Sequence, residues 1–314
     1  MQKFGFVFPG QGSQKLGMLA TLAERSPVIK ATFAEASEVL GQDLWEIAQL
    51  DGQNTLDQTD ITQPALLAAS VAIWRLWESL SQLRPSILIG HSLGEYSALV
   101  CASAINFQDA VNIVHLRGQF MQSAAPAGKG KMAAIVGLET LKLHQICAEA
   151  QEIGIVSAAN FNSPGQTVIA GETAAVERAI ELCKEAGAKR ALPLNVSVPS
   201  HCALMRPAAE RLEMELKNIR IQTPTIAVVQ NVNAEIIEQP QQIKQNLVKQ
   251  LYEPVLWVES VQLMYKNGVN KVVECGPGKV LSGLIRRIES EIQCFGSDDV
   301  TNFDSAMLKI SEKI

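Results

Sequence analysis

Histidine is scarce in this 314-residue chain: there are four. Histidine is the commonest general base of a nucleophilic enzyme, so a base has to be sought among His91, His115, His144 and His201. Cysteine pairs at metal-binding spacing are absent. The six cysteines, at 101, 147, 183, 202, 275 and 294, include no C-x-x-C, which argues against a zinc cage and predicts reduced thiols in a cytoplasmic protein. No apolar run reaches bilayer length, so no membrane-spanning helix is expected. The start, Met1-Gln2-Lys3 and then the strand-like Phe4-Gly5-Phe6-Val7-Phe8, has neither the apolar region nor the cleavage pattern of a secretory signal. Positive charge is not in excess. A formal net charge of −5 argues against a generally basic, nucleic-acid-binding surface, though it leaves room for local basic patches. Internal repeats and low-complexity tracts are also missing.

With 47% hydrophobic and 19% charged residues, the chain suits one large globular domain plus a smaller one. Strand-like runs at 4–8, 86–90, 226–231 and 270–275 alternate with helical patterns, which predicts an α/β protein with a largely parallel sheet. Helices are expected at 64–80, with Pro64 at the first helical position, and at 92–103 and 107–123. Residues 131–196 read differently: strand 132–136, helix 139–150, strand 155–161, strand 166–170, helix 173–186, strand 190–196. That β-α-β-β-α-β order is the ferredoxin-like arrangement, and the stretch 124–130 before it reads as a linker. The expectation is a small domain inserted into a large one, divided as 1–127, 128–197 and 198–314. Residues 298–314 are polar, then weakly helical.

The chemistry centres on Gly90-His91-Ser92-Leu93-Gly94, a G-x-S-x-G run between a buried strand and a helical pattern. The two glycines have no side chain to obstruct a tight strand-to-helix turn. Such a turn lifts the Ser92 hydroxyl to the positive end of a helix and leaves the Leu93 amide free to bind an oxyanion. The plainer reading is a glycine-rich turn with a helix-capping serine. For the base, His91 adjoins the nucleophile and should point away from it, and His144 reads as a surface residue. His115 falls with Gln108, Asn112, Gln119 and Gln122 on the polar face of its helix, which predicts solvation. His201 remains, in a loop just past a strand, as general base and then general acid; the alternative is a loop histidine satisfied by backbone. Cys202 beside it reads as structural.

Arg117 falls on the arc formed by Phe107, Ala110, Val111, Ile113, Val114, Phe120 and Met121, the face of its helix that should turn to the core. A guanidinium there needs an anion or a wet cavity. It is either paired with a carboxylate elsewhere in the chain or clamps a carboxylate on the substrate, and the serine elbow one helix earlier favours the clamp. Esterases of neutral acyl groups have no use for it. No acid marks a strand-end loop between Ser92 and His201, so a backbone carbonyl is expected to orient the base. In Pro9-Gly10-Gln11-Gly12-Ser13-Gln14, Lys15 stands where a dinucleotide motif would need its third glycine, which argues against a Rossmann site. The Gln11 amide is a candidate second oxyanion donor. Nothing points to a metal or bound redox cofactor.

PGQGSQ (9–14), TQPA (62–65), GHSLGEYSAL (90–99), Arg117, NFNSPGQTVIAG (160–171), VPSHCALM (198–205), QLYEPVLW (250–257) and ECGPGKVLSG (274–283) together resemble the malonyl-CoA:acyl carrier protein transacylase family of type II fatty acid synthesis. The resemblance implies a hydrolase-like α/β domain carrying a ferredoxin-like insertion. It implies that Ser92 is acylated by malonyl-CoA with His201 as partner, that Arg117 binds the free carboxylate of malonate, and that the Gln11 and Leu93 amides form the oxyanion hole. It also implies that Gln250 belongs to the active site, its main-chain carbonyl orienting the histidine, and that Asn160 and Asn162 lie near the thioester donor. Acyl carrier protein is then the acceptor, docked on a basic patch drawn from Lys184, Lys189 and Arg190 or from Arg286 and Arg287. Related polyketide acyltransferases carry H-A-F-H or Y-A-S-H where this chain has Val198-Pro199-Ser200-His201, a departure that bears on malonyl against methylmalonyl selection. A serine thioesterase, which would not need Arg117, and a non-catalytic carrier-protein scaffold, which would tolerate loss of Ser92, are the two other readings.

Overall fold

Alternation of large and branched apolar side chains along the first strand sets up two core layers. In the computed structural model, which describes residues 3–126, 128–196 and 198–312, nine strands form. They are β1 (Phe4–Phe8), β2 (Ile87–Gly90), β3 (Gly130–Val136), β4 (Val156–Ser163), β5 (Gln166–Glu172), β6 (Arg190–Pro193), β7 (Ala227–Val229), β8 (Lys271–Glu274) and β9 (Gln293–Gly296). One sheet has the order β7-β2-β1-β8-β9, parallel throughout. Its central strands are buried on both faces, as near-continuous apolar runs require. Phe4, Phe6 and Phe8 face one layer, where Phe6 meets Trp77 edge-on at 5.0 Å. Val7, Ile89 and Val272 face the other, against Trp257, Val261 and Met264.

The second sheet, β4-β5-β3-β6, is antiparallel and lies in sequence between β2 and β7. Its order is the ferredoxin-like one. Ala133 and Ile135 of β3 pack against Leu143 and Ile146 of helix Thr140–Ala150 and Val176 and Ile180 of helix Thr173–Glu185. Met132, Val168 and Ala170 turn to the opposite face, against Cys202, and so carry this sheet to the site described below. The strand expected to run to 196 ends at Pro193, with one further ladder bond from Leu194 N to Met132 O at 2.9 Å; Pro193 itself faces Ala133 on an edge strand, where a missing N–H is tolerated. Residues 127 and 197, on which the expected domain boundaries fall, lie outside the described residues.

Pro64 corrects another expectation. The helix containing it runs Thr59–Leu80, so Pro64 sits inside rather than at the first turn. Pro64 has no N–H to give the Asp60 carbonyl. His115 Nδ1 donates to that oxygen instead, at 2.8 Å, from helix Phe107–Ala124. His115 is therefore half-buried and engaged rather than solvated, and its Nε2 accepts from Gln119 at 2.9 Å. The weakly helical terminus forms helix Val300–Ser311, capped by Asp299, which accepts from Asn302 N at 2.7 Å.

Candidate active site

Ser92 occupies the turn between β2 and helix Gly94–Cys101, with φ of 51°. A non-glycine residue in the left-handed region is strained, as expected of a nucleophile elbow. The flanking glycines are steric necessities. A Cβ on Gly90 would lie 1.8 Å from the Gly94 carbonyl carbon, and one on Gly94 would lie 2.0 Å from the Phe8 oxygen. The Ser92 amide is taken by Asn231 Oδ1 at 2.7 Å, whereas the Leu93 and Gln11 amides donate to no group among the described residues. Both residues line a cavity of about 530 Å³ that also receives Ser92, His201, Arg117, Asn160 and Asn162.

His201 reaches this cavity from the other half of the chain. It too has a left-handed backbone, φ 63°, and is 3% exposed. Its Nδ1 meets the Gln250 carbonyl at 2.6 Å. A carbonyl only accepts, so Nδ1 carries the proton and Nε2 is left as the base. Burial, with the Arg117 charge adding to it, holds the His201 pKa down at about 3, so the ring is neutral near pH 7. The expected carbonyl in place of a third acid is thus present at Gln250.

Arg117 is 1% exposed. Its Nη1 donates to Gln63 Oε1 at 2.8 Å, and its Nη2 to Gln250 Oε1 at 3.0 Å and to Ser92 Oγ at 3.2 Å. The guanidinium carbon stands 5.6 Å from the Tyr96 ring centre. Among the described residues it has no ion-pair partner. The ion pair by contact therefore gives way: this is a buried cation hydrogen-bonded to neutral acceptors, beside a serine hydroxyl and open to a cavity, with the Glu95 carboxyl coupled to it by charge across the Gln250 amide.

His91 turns aside as expected, its Nε2 donating to Asn162 Oδ1 at 2.9 Å and its ring 5.3 Å from Trp257. His144 is exposed. Cys202 is fully buried, its Sγ donating to the Pro199 carbonyl at 3.2 Å, and burial pushes its pKa up to about 11, so it stays a thiol. Gln250 is fully buried and does not line the cavity; it stands behind His201 and Arg117.

Three buried polar residues escaped the sequence reading: Gln63, Glu95 and Asn231. Gln63 lies in the TQPA run, preceded on its helix by Thr59, Asp60 and Thr62, so nothing local sets it apart. Asn231 stands at the carboxyl end of β7, where α/β folds place functional groups. Glu95 follows the elbow, 1% exposed, and burial raises its pKa to about 7. Among the described residues no cluster of His, Cys, Asp and Glu could hold a metal ion, and no helix is long and apolar enough to cross a membrane.

The acyl transferase domain family model matches residues 5–301. Among curated proteins, the malonyl CoA-acyl carrier protein transacylase of Haemophilus influenzae is 56% identical over 97% of this chain and 98% of its own. Among solved structures, an acyl carrier protein S-malonyltransferase from Vibrio cholerae superposes with a TM-score of 0.95 at 56% identity, covering 97% of this chain and 99% of that one. A type II PKS acyl-carrier protein in complex with its malonyl-transacylase gives 0.96 at 52% identity, covering 98% and 100%. With a strained serine elbow, a carbonyl-held histidine and a buried arginine that has no ion-pair partner among the described residues in one cavity, and with likeness of this extent along the chain, the protein belongs to the malonyl CoA-acyl carrier protein transacylase family.

Proposed function

We propose that this chain transfers the malonyl group of malonyl-CoA to the phosphopantetheine thiol of acyl carrier protein, in fatty acid synthesis, through a malonyl-Ser92 intermediate. His201 Nε2 takes the Ser92 proton as Oγ attacks the thioester carbonyl. The negative charge that develops on the carbonyl oxygen is met by the Gln11 and Leu93 amides. As the tetrahedral intermediate collapses, the C–S bond breaks and His201 returns the proton to the departing thiol. The carrier-protein thiol then attacks the ester by the same path in reverse.

The observation that carries this reading is Arg117: a buried guanidinium that touches no carboxylate among the described residues and donates to the nucleophile. A malonyl group on Oγ carries its free carboxylate one methylene beyond the ester carbonyl, beside that guanidinium. The clamp holds the acyl group fixed for a thiol while the site disfavours water. Asn160 and Asn162 are assigned to the thioester donor. We assign no cofactor to the reaction, place the protein in the cytoplasm, and divide the chain as 1–127, 128–197 and 198–314. Val198 and Ser200, which line the cavity, are assigned to the choice between malonyl and methylmalonyl.

Intact-mass measurement after mixing with malonyl-CoA tests the reading. A malonyl adduct is expected on the wild type, absent from Ser92→Ala and discharged by holo acyl carrier protein. No adduct on the wild type overturns the acyl-enzyme mechanism, and an adduct that decays equally fast without carrier protein makes the chain a thioesterase.

A further inference from the structure

Glu95 is a buried carboxyl group beside the site to which the mechanism above gives no task. It lies in the first turn of helix Gly94–Cys101 and is 1% exposed. A carboxyl group buried this deeply is destabilising unless hydrogen bonds offset its lost hydration. One oxygen, Oε2, accepts both of its hydrogen bonds, from the Asn231 backbone N–H at 3.0 Å and from Gln250 Nε2 at 2.8 Å.

These two partners lead to every reacting group of the site. Asn231 holds the elbow from both sides, its Oδ1 accepting from Ser92 N at 2.7 Å and its Nδ2 donating to Gly90 O at 2.7 Å. Gln250 accepts from Arg117 Nη2 at 3.0 Å through Oε1, and its backbone oxygen accepts from His201 Nδ1. Its Nε2 also donates to Ser92 O at 3.0 Å.

A primary amide has two ends of similar shape and opposite hydrogen-bonding sense. Turned by half a rotation, the Gln250 amide would present its NH₂ to the Arg117 guanidinium, donor against donor. What opposes that rotation is the set of acceptors on the far side, Glu95 Oε2 at 2.8 Å, Ser92 O at 3.0 Å and Asn231 Oδ1 at 3.4 Å, of which the Glu95 carboxyl is the closest. The Asn231 N–H, by donating to the same Oε2, keeps that oxygen an acceptor.

We propose that Glu95 is a positioning residue for the transfer reaction: by accepting from Gln250 Nε2 it fixes the sense of the Gln250 amide, and so holds the Arg117 guanidinium where the substrate carboxylate binds. This rests on the malonyl-transfer reading. The property required is an acceptor oxygen at this depth, so glutamine serves in its place and aspartate, one methylene shorter, does not.

The test compares Glu95→Gln, Glu95→Asp and Glu95→Ala with wild type in single-turnover acylation by malonyl-CoA and by acetyl-CoA, normalised to the fraction of Ser92 that reacts, at a temperature well below unfolding. Loss of the amide's sense weakens the carboxylate clamp and leaves the thioester chemistry in place. Glu95→Asp and Glu95→Ala are expected to lower the malonyl-over-acetyl ratio of kcat/KM about tenfold, through KM for malonyl-CoA, in line with the effect of an ångström-scale misplacement. Glu95→Gln is expected to keep most of the wild-type ratio. A merely structural role would lower both substrates together. An unchanged ratio in the aspartate and alanine variants, or a glutamine variant as impaired as alanine, overturns the proposal. If the alanine variant does not fold, aspartate against glutamine decides. A wild type that forms no malonyl-enzyme overturns the function itself, which separates the two failures.

Discussion

Arg117 Nη2 donates at once to Ser92 Oγ, at 3.2 Å, and to Gln250 Oε1, at 3.0 Å. The nucleophile and the cation are thus one hydrogen-bonded unit before any substrate arrives. The guanidinium that is to receive a carboxylate already donates to the hydroxyl that is to carry it.

Replacing Arg117 by alanine removes the charge that distinguishes malonyl from acetyl. Truncating one partner of a buried, hydrogen-bonded charge pair costs about 2–5 kcal/mol. The malonyl-over-acetyl ratio of kcat/KM should fall about thirty- to several thousandfold, the range those energies imply. Steady-state assays with both thioesters measure it, and an unchanged ratio would sink the clamp.

The acid limb of the reaction follows from His201. Burial disfavours its charged form and the adjacent Arg117 adds to this, so its pKa falls from 6.5 to about 3. A lowered histidine pKa extends the neutral, proton-accepting form to lower pH. Acylation of Ser92 should therefore keep its rate as pH falls through 6.5, where a solvated histidine base would lose it, and should decline only as pH approaches the lowered value. Single-turnover malonylation between pH 5 and 8 measures this; a loss centred on 6.5 refutes it.

Gly94→Ala places a Cβ 2.0 Å from the Phe8 carbonyl oxygen, which already accepts from His91 N at 3.0 Å. Backbone meets backbone there, so neither side can yield without opening β1 or the elbow. A cost of about 3 kcal/mol or more is expected, seen as a Tm several degrees lower. A variant with wild-type Tm and acylation rate would show that the spacing has no steric basis.

Arg286 and Arg287 are exposed on helix Val280–Ile288, which lends Val280, Leu281 and Leu284 to the cavity wall. Lys184, Lys189 and Arg190 are exposed on the ferredoxin-like part. Reversing the Arg286 and Arg287 charges should raise KM for acyl carrier protein, most at low ionic strength, and leave acylation by malonyl-CoA unaltered. If KM for the carrier does not move, this helix is not where the carrier docks.

What could be read in advance follows from how each residue is constrained. The elbow was legible because its five residues carry the whole G-x-S-x-G pattern in one short run, even though the Gly94 demand comes from Phe8 far off in sequence. Arg117 was legible because a permanent charge contradicts the apolar arc it stands on. His201 emerged by elimination among four histidines. Gln63, Glu95 and Asn231 were not legible, since their partners lie far off in sequence: Asn231 N meets Glu95 across 136 positions, and Gln63 meets Arg117 across 54. The start of helix Thr59–Leu80 was misread for a related reason. Proline usually opens a helix because its missing N–H is cheapest there, and only the approach of His115 reveals that the vacated carbonyl is satisfied elsewhere.

That pairing keys two helices to each other. His115 is two residues before Arg117, and Asp60 is three before Gln63, so the bond between His115 and the Asp60 carbonyl indexes the two strands of contact against one another. Sliding one helix past its neighbour by a single turn, about 5.4 Å, would strand a buried carbonyl and carry the guanidinium out of reach of the serine. The missing hydrogen bond at Pro64 thus works as a keyway, and its key sits half a turn from the charge whose position it sets.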